Sequence, residues 1–226
     1  MDKLNKNIGI FSFGRKQSQR CPNKMLRPFS DTTLTDILLP KLSFFNERAF
    51  FAGYESEFRE KCNQHGVRFV QRVFNSVNID GPITEVLAFL KKVEFEYFLI
   101  INGCLPFLTV QSINSFLVEC QKNNYDSAFA VTLRNNFFIS LDREPLNFDL
   151  NMKSINTKEI KPIYEFAHAL YFFNKDYFFK HGRYWDWNDV KLVELKDRYE
   201  LMDIDTEDDF EIAEQVWAAR KKLSNK

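Results

Sequence analysis

The sequence has no excess of charge of either sign, because 31 lysines and arginines balance 31 aspartates and glutamates. Without a bulk electrostatic field, neither nucleic acid nor an anionic membrane is an expected partner, and binding must depend on local groups. The four cysteines, Cys21, Cys62, Cys104 and Cys120, include no CxxC pair. A metal cluster or a disulfide framework is therefore not expected, and a reducing compartment fits this cysteine usage.

Long apolar runs are also missing. No run approaches the length of a transmembrane helix, and residues 1–7 lack the apolar stretch of a signal peptide. We therefore expect a soluble, cytoplasmic protein. A Walker A loop and a GxGxxG motif are both absent, so P-loop kinases and dinucleotide oxidoreductases lose support. The three histidines, His65, His168 and His181, fit no zinc spacing, and packing or surface roles are expected for them.

Apolar runs typical of buried strands alternate with amphipathic helical segments over the first 120 residues. Strands are predicted at Ile8–Phe13, 49–54, 67–70 and Tyr97–Ile101, and helices at 34–42 (with a break at Pro40), 55–65, 82–90 and 109–121. This alternation predicts a mainly parallel sheet with right-handed crossovers. The length predicts one domain over residues 1–226.

The alternation stops in the second half of the chain. Residues 127–133 and 137–141 are predicted to pair as a hairpin, and residues 166–173 to return as a strand. Between them, residues 142–162 are polar and lack periodicity. We interpret them as an excursion that forms a dimerisation arm or a lid. Short edge elements are predicted at 192–195 and 200–204, before a final helix at 206–223 with Thr206 as its N-cap.

A basic loop follows the first strand directly. Residues 15–24 include four cationic or hydroxylic side chains at intervals: Arg15, Ser18, Arg20 and Lys24. The carboxyl end of a strand in an open α/β sheet is the usual ligand crevice, and cations with free backbone N–H groups suit a polyphosphate. A solvated basic turn would have the same composition, so spacing alone leaves both interpretations open.

Two carboxylates lie near the other end of the chain, in Met202-Asp203-Ile204-Asp205-Thr206. If this segment is extended, Asp203 and Asp205 point to one side, and a divalent cation would relieve their repulsion. Mg²⁺ suits them, because it takes one or two carboxylates together with substrate phosphates. Helix capping explains Thr206 and the acidic residues after it, but it explains Asp203 poorly.

The most apolar strand, Tyr97–Ile101, ends in Asn102-Gly103-Cys104-Leu105-Pro106. Small and polar residues here allow a ligand to approach closely, although a plain strand-exit turn would look the same. Cys104 is not predicted to be a nucleophile, because no histidine is close in sequence and nothing identifiable lowers its pKa. The aromatic residues 184–187 could stack on a base, but we expect them to be buried under the edge of the sheet.

Together, three of these motifs resemble the CTP-dependent cytidylyltransferases of the acylneuraminate, KDO and spore-coat-polysaccharide types. The Arg-x-x-Ser-x-Arg-x-Pro-x-Lys pattern of residues 15–24 is similar to their amino-terminal signature. Residues 202–210, with Ala213 and Glu214, resemble their carboxy-terminal Asp-Ile-Asp-Thr signature and its helix. Residues 102–107 occupy the place of their mid-chain turn, and the three motifs bracket nearly the whole chain.

The resemblance implies a Rossmann-like, three-layer α/β/α nucleotidyltransferase fold and a homodimer whose excursion at 142–162 crosses to the partner. It also implies Mg²⁺-dependent transfer of CMP from CTP to a small acidic acceptor, with release of pyrophosphate. The implied catalytic residues are Arg15, Lys24, Asp203 and Asp205. The implied nucleotide-binding residues are Arg15, Ser18, Arg20, Lys24, Arg72 and Asn102, and the implied Mg²⁺ ligands are Asp203 and Asp205.

The sequence departs from these enzymes where the acceptor would bind. Cys104 stands where KDO-type enzymes have aspartate, and Ala167 and His168 replace an Asn-Gly pair that helps to seat the sugar. An acceptor other than a nonulosonic sugar is therefore implied. One subtype, the CTP:phosphoglutamine cytidylyltransferases of capsular phosphoramidate pathways, would fit, with L-glutamine phosphate as acceptor. A CMP-nonulosonate or KDO-type synthetase, an inactive nucleotide-binding relative and a transferase for another base remain alternatives.

Overall fold

A computed structural model of the chain describes residues 7–77 and 81–224. Within them, the strands are β1 (Ile8–Phe13), β2 (Ala49–Gly53), β3 (Arg68–Gln71), β4 (Tyr97–Ile101), β5 (Ser127–Arg134), β6 (Ile163–Asn174) and β7 (Lys191–Glu194). The helices are α1 (Leu34–Ser43), α2 (Ser56–His65), α3 (Phe74–Val77), α4 (Ile83–Val86), α5 (Val110–Lys122), α6 (Lys175–His181) and α7 (Glu207–Ser224). Short 3₁₀ helices lie at Asn46–Arg48, Ala88–Lys92 and Arg198–Leu201.

The strands form one sheet in the order β3-β2-β1-β4-β6-β5-β7. β6 runs antiparallel to β4 and β5, whereas the other neighbours pair in parallel. The predicted mainly parallel, Rossmann-like fold is thereby confirmed. The strand order reverses between β1 and β4, and their carboxyl ends flank the place where open α/β sheets bind ligands.

Both faces of the sheet are covered, because β1 supplies side chains to two cores. Ile8 and Ile10 pack on the face that carries buried residues of α1, α2, α5 and α7. Phe11 points to the opposite face, where it stacks on Phe50 with ring centroids 5.1 Å apart and meets Phe98 edge to face. This alternation is that of a strand buried on both sides, and it yields the three layers.

Helix α1 continues through Pro40, so the predicted break is wrong. Thr33 caps the helix, and its Oγ1 accepts the N–H of Asp36 at 3.1 Å. Pro40 is exposed, while Leu39 and Leu42 are fully buried. A proline inside a helix costs about 3 kcal/mol, whereas burying two leucines contributes roughly 3–6 kcal/mol. Packing therefore outweighs the backbone penalty.

The predicted hairpin of residues 127–133 with 137–141 is also wrong. β5 pairs instead along β6, and residues 137–141 contribute one isolated bridge, from Ile139 to Pro145, within the described chain. Ile139 and Leu141 are exposed, so a hairpin there would bury little, while β6 supplies buried side chains to both cores. Residues 135–162 form the irregular connection that contains the predicted excursion.

The chain after β7 enters the site without a further strand. Residues 200–204, predicted as an edge element, begin instead in a 3₁₀ turn, because Asp197 Oδ1 caps that turn by accepting the N–H of Tyr199 at 2.9 Å. Helix α7 then begins as predicted: Thr206 Oγ1 accepts the N–H of Asp209 at 3.2 Å. No helix among the residues described is long and apolar enough to cross a membrane.

Candidate active site

A cavity of about 470 Å³ opens beside the carboxyl ends of β1 and β4. Its lining comes from the basic loop after β1, from the segment around α3 and α4, and from two single residues, Cys104 and Asp205. Arg15, Ser18, Arg20, Lys24 and Arg72 all line it, together with Gly14, Gln19, Ser76, Val77 and Val86, among others. Cavities of this size are typical of small-ligand sites. The structure therefore brings five of the predicted nucleotide-binding residues around one space.

The basic loop is folded back on itself by its own backbone. The N–H of Asn23 donates to the carbonyl of Lys16 at 3.0 Å, and the N–H of Ser18 donates to the same carbonyl at 3.1 Å. Asn23 adopts a left-handed φ of 56°, a conformation that asparagine tolerates better than most residues. These contacts shape the loop into a turn over the cavity rather than an extended surface strand.

Two cations of the loop meet the carboxy-terminal segment. The ammonium of Lys24 donates to the carbonyl of Ile204 and lies 3.7 Å from Asp205 Oδ1, with only 12% of its side chain exposed. Arg20 Nη2 lies 2.9 Å from the same carboxylate oxygen. Residues about 180 positions apart in sequence thus form one charged cluster, which no local pattern specifies.

Asp203 turns inward from Asp205, toward the end of β4. Its Oδ2 accepts a hydrogen bond from Asn102 Nδ2 at 3.2 Å, and its Oδ1 is buried without a partner among the described residues. Burial raises the pKa of Asp203, and the nearby Asp205 raises it further, whereas Lys24 and Asn102 act in the opposite direction. An unpartnered buried carboxylate oxygen beside a second carboxylate is a donor set that fits a divalent cation.

Asn102 was expected to face the nucleotide, but its side chain does not line the cavity and forms three hydrogen bonds within the protein. Nδ2 donates to the carbonyl of His168 at 2.9 Å as well as to Asp203, and Oδ1 accepts the N–H of Cys104 at 2.9 Å. His168 lies in an irregular stretch of β6 with a left-handed φ of 49°. Asn102 therefore connects β4, β6 and the carboxylate segment, and in this structure it acts as a clamp.

Arg72 is buried at the side of the cavity. Its Nη1 and Nη2 donate to three backbone carbonyls, those of Gly14, Ser76 and Val86. Burial and the neighbouring Arg15 lower the pKa of Arg72 to about 10. Arg15 Nη1 donates to the carbonyl of Val77 at 3.1 Å. Both guanidiniums thus hold the segment around α3 against the basic loop, and with a pKa of about 10 Arg72 remains charged at neutral pH.

Cys104 lies at the base of the cavity as a neutral thiol. Its carbonyl accepts the N–H of Ile204 at 3.0 Å, which ties the turn after β4 to the carboxylate segment. Burial raises the pKa of the thiol to about 11, so a nucleophilic thiolate is not available near pH 7. Gly103 permits this close packing, because a Cβ there would lie 2.8 Å from Leu38 Cδ2 and 3.0 Å from Met25 Cε.

The aromatic residues 184–187 take no part in this cavity. Trp185 is buried against Phe129, with ring centroids 4.8 Å apart, so the expected packing under the sheet edge holds for Trp185. For Trp187 the expectation is wrong, because 64% of this residue is exposed. Several lining residues were not predicted, notably Ser76, Val77 and Val86. No sequence signal marks them, because they contribute position and backbone carbonyls rather than distinctive side chains.

Comparison with known proteins agrees with this architecture. The family model described as the MobA-like NTP transferase domain matches residues 14–178. The chain belongs to this family. The match begins at the basic loop and ends in α6, so it includes the loop, Arg72 and the turn after β4. No curated protein sequence matches the chain.

Solved structures with the same fold share little sequence with this NTP transferase. A CMP:2-keto-3-deoxy-manno-octonic acid synthetase complexed with CTP has a TM-score of 0.66 at 11% identity, covering 95% of this chain and 100% of its own. A cytidylyltransferase from Leptospira borgpetersenii has a TM-score of 0.58 at 16% identity, covering 93% and 86%. The 4-diphosphocytidyl-2C-methyl-D-erythritol synthase of Anaerococcus prevotii has a TM-score of 0.65 at 12% identity, covering 94% and 96%.

The arrangement can bind an extended anion on one side and a cation on the other. Arg15, Arg20, Lys24 and Arg72 concentrate positive charge around the cavity, and Asp205 places a carboxylate in its lining. Asp203 does not line the cavity, but it lies close enough to Asp205 and Lys24 for their charges to act on its carboxyl group. A nucleoside triphosphate with a divalent cation meets both requirements.

Proposed function

We propose that this NTP transferase is a Mg²⁺-dependent cytidylyltransferase that transfers CMP from CTP to a small acidic acceptor and releases pyrophosphate. The observation that carries the proposal is the contact of Arg20 and Lys24 with Asp205. It joins the basic loop, which would bind the polyphosphate, to a carboxylate that would bind the metal, where the strand order reverses. The choice of CTP is supported by the shared fold of solved cytidylyltransferases, one of them complexed with CTP.

The proposed reaction is an in-line displacement at the α-phosphorus. An oxygen of the acceptor forms the new P–O bond while the bond to the bridging oxygen of pyrophosphate breaks. Arg15, Ser18 and Lys24 would hold the triphosphate, with Arg20 beside them, and would neutralise the charge that develops on pyrophosphate. Asp203 and Asp205 would hold Mg²⁺, which when bound supplies further charge neutralisation and alignment of the phosphates.

The acceptor proposed here is a small phosphorylated acid such as L-glutamine phosphate, in a pathway that modifies capsular polysaccharide. His168 and Ala167 support it, because they replace the pair expected for a nonulosonic sugar. A homodimer is proposed as well. Its support is the excursion, where Leu146, Leu150 and Ile155 are exposed apolar side chains that a second copy would cover.

A second candidate is a nucleotide-binding relative without catalysis. Cys104 favours it, because a thiol whose pKa is about 11 brings no negative charge to the place where an acidic metal ligand was expected. Asp203 and Asp205 alone would then have to hold the cation. This candidate predicts binding of CTP with no release of pyrophosphate.

Pyrophosphate release and thermal melting test both candidates on the same protein. The assay compares CTP, ATP, GTP and UTP with Mg²⁺ against KDO, sialic acids and small phosphorylated amino acids. A ligand at 100 times its Kd stabilises by about 2.7 kcal/mol, which for a chain of this size raises the Tm by roughly 5–11 °C. We expect that rise with CTP, and pyrophosphate release with an acidic acceptor.

Two aspartate variants distinguish the loss of a carboxylate that lines the cavity from the loss of an ion pair elsewhere on the surface. We expect Asp205→Asn to lower turnover about 100-fold or more with a nearly unchanged Tm, because the Asp205 side chain is 45% exposed. Asp189→Asn is the control, since Asp189 also pairs with a cation, Lys191, but lies outside the cavity. Full activity of Asp205→Asn would reject the metal role. A rise in Tm without turnover for any acceptor would establish the inactive relative, and no response to CTP would reject both candidates.

A further inference from the structure

A second cavity of about 790 Å³ lies between α1, the turn before α5, and α7. It shares no lining residue with the first cavity. Its walls are largely apolar and include two aromatic rings, being formed by residues such as Ile37, Pro40, Pro106, Phe107, Leu108 and Trp217. Phe107 and Trp217 stand with ring centroids 5.9 Å apart. A flat apolar group fits such walls.

Lys41 brings an ammonium without a counter-ion to this cavity. Two of its three N–H groups donate to backbone carbonyls, at 2.8 Å for Pro106 and 3.4 Å for Leu105. No carboxylate of the described chain lies within 4.0 Å of it; the buried Glu200 acts on it only from farther away. Although part of the side chain reaches the surface, burial of the ammonium lowers its pKa to about 8.

Trp217 adds a second donor. Its Nε1–H is buried and has no acceptor among the described residues. Buried donors without acceptors are uncommon, because each one has lost its hydrogen bond to water. Lys41 and Trp217 line the same cavity; Lys41 has one N–H beyond its two bonds to carbonyls, and the Nε1–H of Trp217 has no acceptor among the described residues.

The carboxylates at the rim already have cationic partners. Asp31 pairs with Lys221, and Asp36 pairs with Lys61 and binds His65. The guanidinium of Arg220 lies 5.6 Å from the centre of the Phe107 ring and also lines the cavity. Lys41 and Trp217 are therefore the donors considered for a ligand.

We infer that this second cavity is a binding site for a small organic anion with a flat apolar body, whose carboxylate or phosphoryl oxygens accept from Lys41 and Trp217. The site is independent of the proposed transferase reaction. It lies close to the first cavity, however, since Lys41 holds the carbonyls of Leu105 and Pro106, directly after Cys104.

Calorimetric titration of the whole chain with 2-naphthoate tests the site, and 2-naphthalenemethanol serves as the neutral probe of the same shape. We expect 2-naphthoate to bind with a Kd below about 1 mM and the alcohol to bind at least about 10-fold more weakly, because a charge-assisted hydrogen bond is lost. Lys41→Met should weaken 2-naphthoate binding about 10-fold or more. Trp217→Phe, which keeps the ring position but removes the N–H, should weaken it about 3-fold or more.

Lys175→Met is the matched control, because Lys175 also donates to a backbone carbonyl, that of Val93 at 2.7 Å, but lies outside this cavity. It should leave the Kd unchanged. The inference is overturned if 2-naphthoate gives no binding, if the alcohol binds equally well, or if Lys41→Met binds as the parent does. Should Lys41→Met fail to fold, an unchanged Kd for Trp217→Phe overturns it instead. A failure of CTP to bind affects the transferase proposal and leaves this test intact.

Discussion

Replacing Asn102 with alanine tests whether this side chain is the clamp that the structure shows. The substitution removes three hydrogen bonds, to the His168 carbonyl, the Asp203 carboxylate and the Cys104 N–H. Two neutral bonds at about 1 kcal/mol each and one to a carboxylate at about 1.5–3 kcal/mol sum to roughly 3–5 kcal/mol. Because Asn102 is only half-buried, water will replace part of this, so we expect a loss of about 2–4 kcal/mol.

For a chain of this length, that loss lowers the Tm by about 4–16 °C. Scanning calorimetry measures it, with Asn123→Ala as the matched control. Asn123 also donates twice, to the carbonyl and carboxylate of Glu119, but on an exposed helix end where we expect a change below about 0.5 kcal/mol. A Tm within 2 °C of the parent for Asn102→Ala, on the order of the control's effect, would refute the reasoning.

A double-mutant cycle separates the clamp from general packing. Combining Asn102→Ala with Asp203→Asn should give a coupling energy above about 0.5 kcal/mol, because the two side chains share a hydrogen bond.

The affinity for the nucleotide distinguishes the clamp from a residue that contacts the ligand. Asn102 does not line the cavity, so CTP affinity without Mg²⁺ should stay the same in Asn102→Ala. A loss of that affinity would instead support the prediction from sequence that Asn102 touches the nucleotide.

Three further predictions concern the frame of the site. Arg72→Met should destabilise the fold by about 3–5 kcal/mol in urea unfolding, because it leaves three carbonyls without their donor; a change below about 1 kcal/mol would contradict this role of Arg72. Gly103→Ala should cost about 1–3 kcal/mol in the same assay, since its Cβ would lie 2.8 Å from Leu38 Cδ2; equal stability would show that the core yields there. Burial opposes ionisation of Asp36, but hydrogen bonds led by that of Lys61 outweigh it and hold its pKa below the ordinary value. The stability that this carboxylate adds is therefore complete above about pH 4 and lost as the pH falls through its lowered pKa. Asp36→Asn should lower the urea midpoint at pH 7 and approach the parent near about pH 3, and equal midpoints at pH 7 would refute it.

Much of the fold follows from local patterns in the sequence. Apolar runs at β1, β2 and β4, separated by amphipathic helices, predict the parallel half of the sheet, because strand and helix periods are written in neighbouring residues. Thr206 and the acids after it predict the start of α7 for the same reason. The predictions from sequence are wrong where contacts between residues far apart in the chain decide the local structure. Pro40 stays helical because Leu39 and Leu42 are buried, and residues 137–141 form no hairpin because β6 buries more.

For the candidate site, too, local sequence predicts one part and long-range packing decides the other. By itself, the sequence determined which groups are available: a basic loop after β1, two carboxylates before α7 and a small-residue turn after β4. Only the tertiary structure decided how they meet, since Lys24 and Asp205 lie 3.7 Å apart across some 180 residues of chain. It also decided that Asn102 forms hydrogen bonds with Asp203 and His168, and that Lys41 lines a cavity. Side-chain chemistry is local to a residue, whereas a hydrogen-bond partner is a property of the folded neighbourhood.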